Sequence, residues 1–164
     1  MPDRPTFLDL CGGVFEHSPW VAERAYDHGD IGEPLRSEAV HAAMCKAFRA
    51  ATRDERISVL RAHPDLAGKL ALAGELTEDS RQEQAGAGLD RLSAEEHAEF
   101  TRLNAHYMRQ FGFPFIIAVK GLDKQAILQA FRTRIANSAD EEFVTACGQV
   151  EKIARLRLET LLPQ

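Results

Sequence analysis

A chain of 164 residues, 45% hydrophobic and 27% charged, suits one compact domain with a real core and leaves little room for two. A net charge of −5 without any Lys/Arg run argues against nucleic acid as a partner. No apolar stretch approaches the roughly 18 residues of a membrane span, so no membrane partner is expected.

Helical signals dominate the chain in order. Thr6 is placed to cap a short first helix ending near Gly12-Gly13. Ser18-Pro19 reads as the N-cap and first residue of a helix through about Tyr26. Ser37 precedes EAVHAAMCKAFRAA, rich in good helix formers. Asp54 is placed to cap ERISVLRAH, which Pro64 should end. The stretch 65–79 holds two glycines and mixed signals, and reads as a loop with at most a short helix.

Ser80 and Glu83 then show capping-box spacing. Ser93-Ala94-Glu95-Glu96 is a fuller capping box. It opens a helix with Phe100, Leu103, Tyr107 and Phe111 on one stripe and Gly112 at its end. Asp123 is placed to cap the next helix, with Ile127, Leu128, Phe131 and Ile135 inward. Ser138 and Glu141 repeat the capping box and start a final helix through about Leu162. Only PFIIAV, residues 114–119, is apolar without helical period, which predicts one buried extended segment. One such segment makes no sheet. The expected fold is all-α: a single-domain irregular bundle of about seven or eight helices over residues 1–164.

Three polar groups fall on predicted apolar faces. His63 shares the inward side of its helix with Val59 and Leu60. Spacing alone leaves a satisfied, helix-ending histidine and a functional one both open. Arg157 lies on a stripe with Val150, Ile153, Ala154, Leu158 and Leu161. A buried guanidinium there needs an anion, either a structural carboxylate or a substrate. The alternative is a snorkelling side chain at the stripe's edge. In SRQEQ, residues 80–84, Glu83 either closes a helix start or joins Ser80 and Gln84 in presenting polar groups to a ligand.

Other chemistries find little support. His63, His97 and His106 are the obvious metal-ligand candidates, but no short ligand spacing is present. His97 and His106 point about 180° apart on one helix, so they cannot share an ion from there. No metal is expected. GxSxG, P-loop and GxGxxG patterns are lacking, and AGAG at 85–88 has no strand before it. The N-terminal MPDRPTFLDLCGG has no signal-peptide core, and ETLLPQ carries no peroxisomal tripeptide. Cys11, Cys45 and Cys147 are odd in number and far apart, which fits neither a disulfide framework nor a zinc site. A cytoplasmic setting is expected.

Several blocks together resemble a known family. RAHPDLAGK (61–69), LTEDSRQEQAGAGLDRL (76–92) and LNAHYMRQFGFPFIIAVKG (103–121) are similar to the 2-oxo-4-hydroxy-4-carboxy-5-ureidoimidazoline (OHCU) decarboxylases. SPWVAERA (18–25) and EKIARLRLETLL (151–162) extend the similarity over nearly the whole chain.

The resemblance implies an all-α homodimer with no metal or organic cofactor, acting on a small molecule. It implies that His63 of the HPDL motif is the proton donor and that Pro64 shapes the pocket. It implies that Ser80, Arg81, Gln82, Glu83 and Gln84 form the substrate-binding block, with Glu83 also catalytic. Phe115, Ile116, Ile117, Ala118 and Val119 would line the pocket, and Arg157 is the best match to an arginine near the family's site. Lys120 stands where many members carry arginine, a change that matters only if a bidentate contact is made there.

The implied reaction is decarboxylation of OHCU to (S)-allantoin in urate degradation. The substrate's own C=N accepts the electron pair left by CO₂, so pyridoxal phosphate or thiamine is unnecessary. Rival readings are a decarboxylase of a related ureido or imidazole carboxylate, a catalytically silent helical ligand-binding module, and a metal-dependent hydrolase.

Overall fold

The computed structural model describes residues 1–29 and 31–164. Nine helices and no strand occur among the described residues. They are α1 (Arg4–Cys11), α2 (Trp20–His28), α3 (Ser37–Ala50), α4 (Arg53–Ala62), α5 (Lys69–Leu72), α6 (Glu78–Gly86), α7 (Ala94–Phe111), α8 (Lys124–Ile135) and α9 (Ala139–Leu161). The all-helical expectation holds. The single turn α5 is the short helix that the stretch 65–79 left room for.

Several caps lie elsewhere than expected. Asp3, not Thr6, caps α1: its carboxylate accepts from the Thr6 N–H at 2.9 Å, and a proline sits in the first turn. The Ser18 hydroxyl donates to the Glu16 carbonyl, so α2 starts after Pro19 without a side-chain cap. Ser37 is the first residue of α3 rather than its cap. α4 opens with a reciprocal capping box between Thr52 and Glu55, and Asp54 falls inside the first turn. Thr77 caps α6 by accepting from Ser80 N–H, which puts Ser80 in the helix's first turn. In three of these cases the true cap lies two or three residues before the residue chosen. First-turn positions also tolerate Thr, Ser and Asp, so residue type alone misplaces the start. The boxes at Ser93/Glu96 and Ser138/Glu141 and the Asp123 cap form as expected.

The chain forms two compact units: residues 1–62 with 150–164, and residues 63–149. The first contains α1 to α4 and the last part of α9. Phe7, Phe15, Val40, Met44, Phe48 and Leu158 are fully buried there. Phe15 meets Phe48 at 5.4 Å between ring centres. The Ser37 N–H donates to the Pro163 carbonyl, and Arg49 forks onto Glu151, so the chain's end is tied to α3 by backbone and charge alike.

The second unit contains α5 to α8 and the first part of α9. Tyr107 is its aromatic hub, with Phe111, Phe113, Phe115 and Phe131 around it at 4.7 to 6.4 Å. Phe115 and Phe131 stack at 3.7 Å. Gly112 ends α7 in the left-handed region at φ 78°, where its missing Cβ removes the usual penalty. The segment 114–119 that follows is neither helix nor strand, and all of it except Ile117 is buried.

Candidate active site

His63 stands one residue past the end of α4, with Pro64 behind it to stop the helix. Its side chain is buried, at 8% exposure. The residues that follow form a tight loop. Ala67 adopts φ +53°, a left-handed conformation unusual for a residue with a side chain. At Gly68 a Cβ would come within 2.6 Å of the Asp65 Cβ, so only glycine closes the turn.

Two buried amide side chains hold this loop. Gln84 of α6 accepts from Ala67 N–H at 3.0 Å and donates to the Asp65 carbonyl at 3.3 Å. Asn104 of α7 donates to the Leu66 carbonyl at 2.8 Å. Burial pushes the Asp65 carboxyl above the ordinary aspartate range, and its Oδ1 atom is buried with no hydrogen bond.

The residues of the SRQEQ block diverge. Ser80 and Gln84, one helical turn apart, are both buried, and Glu83 is half-buried. Arg81 and Gln82 are exposed and reach back to Glu78, Arg81 through its fork and Gln82 at 2.8 Å. The structure thus joins Gln84 to the loop after His63, and turns Arg81 and Gln82 toward Glu78. A cavity of about 640 Å³ lies in the same unit, lined by Ala67, Leu72, Leu76, Arg81, Gln84 and His97 among others. Neither His63 nor Phe115–Val119 lines it.

The segment Phe115–Val119 is fixed by a polar network. The Arg134 guanidinium donates to the Ile116 carbonyl at 2.6 Å and to Glu142 at 2.7 Å. It also lies over the Phe115 ring, 4.3 Å from its centre. Glu142, fully buried, further accepts from the Tyr107 hydroxyl at 2.6 Å and from Asn137 at 2.9 Å. Burial, followed by the hydrogen bond to Glu142, drives the Tyr107 phenol far above its ordinary range. The Ala118 N–H donates to Gln149 at 2.9 Å. Lys120 is exposed.

Arg157 belongs to the other unit. It is buried, and its guanidinium pairs with buried Glu16 at 3.1 Å and approaches the Val14 carbonyl at 3.4 Å. Of the alternatives that spacing left open, a structural carboxylate is what the guanidinium meets, and it does not snorkel.

Asn104, Arg134, Glu142 and Glu16 are polar residues on buried faces that the sequence reading passed over. The signal was present for two of them. Asn104 falls four residues after Phe100 and three before Tyr107, and Arg134 three after Phe131, each on the stripe assigned to the core. The test applied to His63 and Arg157 would have found both. Glu142 was masked by the acidic first turn of α9, where a carboxylate is ordinary. Among the described residues no group of three or more His, Cys, Asp or Glu is placed to hold a metal ion.

Comparison with known proteins gives one consistent answer. Residues 2–159 match the OHCU decarboxylase family. A 2-oxo-4-hydroxy-4-carboxy-5-ureidoimidazoline decarboxylase of Halalkalicoccus jeotgali is 42% identical over 97% of this chain and 86% of its own. Its counterpart from Haloferax volcanii is 43% identical over 95% and 89%. A crystal structure of an (S)-allantoin synthase superposes with a TM-score of 0.77 at 29% identity, covering 98% of this chain and 51% of that one.

Proposed function

This chain belongs to the OHCU decarboxylase family, and from that premise we propose that His63 supplies the proton in a decarboxylation yielding (S)-allantoin. The chain is a carboxy-lyase acting on OHCU. Membership over residues 2–159 is the observation that carries the reading.

The chemistry follows from the substrate. The bond from the ring carbon to its carboxylate breaks, and CO₂ leaves. The electron pair forms a bond to the neighbouring ureido-bearing carbon as the C=N pair moves to the ring nitrogen. A proton then adds to that carbon from one face, the hydroxyl becomes a carbonyl, and the proton it releases neutralises the ring nitrogen that took the C=N pair. The enzyme has to orient the carboxylate and choose the face.

His63 is the group assigned to the proton. A histidine titrates near neutral pH, and this one is buried at the end of a helix in a braced loop. Glu83, with Ser80 and Gln84, is assigned to the substrate's hydroxyl, ring and ureido groups. Pro64 and the largely buried wall Phe115–Val119 are assigned to shaping the pocket and excluding water. We assign the protein to the cytoplasm, where three buried cysteines without disulfides are at home. A homodimer is the proposed assembly, and a sedimentation mass near twice 18.2 kDa tests it.

The decisive experiment couples urate oxidase and the following hydrolase to this protein and records optical activity. Spontaneous decay of the intermediate gives racemic allantoin, so a chiral signal reports the enzyme. His63→Ala should abolish that signal while leaving the far-ultraviolet dichroism of the helices intact. A wild-type rate in His63→Ala removes the histidine from the mechanism.

A further inference from the structure

We propose that Asn104 is a positioning residue for this reaction, acting through the Leu66 carbonyl on the loop that begins at His63. The proposal rests on the role given to His63 above. Asn104 is buried on the inward stripe of α7, between Phe100 and Tyr107. An apolar side chain would fill that stripe without the cost of burying an amide. The amide is used instead on the Leu66 carbonyl, at 2.8 Å.

The loop needs this support. Leu66 and Ala67 are buried, so water does not replace a lost bond there. Ala67 is held at φ +53°, a conformation that persists only where neighbours impose it. Gln84 grips the Asp65 carbonyl and the Ala67 N–H, and Asn104 grips the Leu66 carbonyl between them. Three consecutive residues are therefore fixed from two helices. Leu66 is three residues from His63, with the rigid ring of Pro64 in between. Few soft torsions separate the clamp from the imidazole. A displacement of about 1 Å in a reacting group can cost about a hundredfold in rate.

Asn104→Asp and Asn104→Ala test the assignment. The first keeps the side chain's shape but places an oxygen where the donor was, and the second removes the amide. Both should lower kcat by about tenfold or more and raise KM by a smaller factor, since the clamped loop carries the proton donor and, beside it, Pro64 of the pocket wall. With ¹⁵N-labelled histidine, the His63 imidazole signals, identified by their loss in His63→Ala, should move in both variants. A folded Asn104→Asp protein with wild-type kcat and unmoved His63 signals overturns the proposal. So does an activity loss that only follows the unfolded fraction. If Asn104→Ala does not fold, Asn104→Asp decides. Should the wild-type protein give no chiral allantoin, the functional reading fails, and the His63 signals still decide whether Asn104 sets that loop.

Discussion

A buried charge is stable only beside its partner, and Arg157 shows how much rests on one contact. Its guanidinium and the Glu16 carboxylate are both nearly inaccessible to water. Arg157→Leu takes the guanidinium away from the buried Glu16 carboxylate, a loss of about 3–5 kcal/mol. Urea unfolding should show it as a lower midpoint, and a double Arg157→Leu/Glu16→Leu variant should recover much of the loss. Asp65 poses the opposite problem. Burial raises its pKa, so the fold favours its protonated form. Its charge therefore costs stability above the raised pKa and costs nothing below the unfolded one. Asn at this position should stabilise the protein at neutral pH, and the advantage over wild type should shrink as pH falls through the Asp65 pKa. Thermal midpoints measured between pH 7 and pH 4 check this; a pH-independent difference would contradict it.

Helices α7, α8 and α9 converge on Glu142, and the apolar segment 114–119 hangs from that junction. Tyr107 comes from α7, Arg134 from α8 and Glu142 from α9, and the same Arg134 holds the Ile116 carbonyl. Arg134→Met should destabilise by about 3–5 kcal/mol, because it strands the carboxylate. Arg134→Lys should fall between wild type and Met, since a single ammonium cannot reproduce the planar fork that serves Glu142 and Ile116 together. Denaturant midpoints of the three proteins give the order, and equal stabilities of Lys and wild type would refute it. Element boundaries were partly legible before any coordinates. Ser93, Asp123 and Ser138 cap their helices as their spacing implies, because each begins a clear apolar period. Thr6, Ser18, Asp54 and Ser80 misled, because a residue suited to capping is also accepted within the first turn.

Each unit of the whole molecule carries its own buried thiols, Cys11 and Cys45 in the first and Cys147 in the second. Burial raises the Cys11 pKa to about 11 and, with Glu151 adding to it, that of Cys45 to about 12. Little reactive thiolate exists at pH 8 in either case. Ellman's reagent should therefore find the native thiols slow and all three rapid in denaturant, and any fast native thiol would reveal local opening of its unit. The histidine just before a proline, the SRQEQ block, the apolar run and the all-helical class were determined by sequence alone. They are local patterns, set by residue type and spacing. Which buried charges pair, and which amide braces which loop, was decided only by the tertiary structure. Glu16 and Arg157 lie 141 residues apart, and Asn104 lies 38 from Leu66. Spacing along a chain has no power over such distances. Desolvation selects these partners, because a polar group taken out of water must find a bond wherever the packed chain offers one.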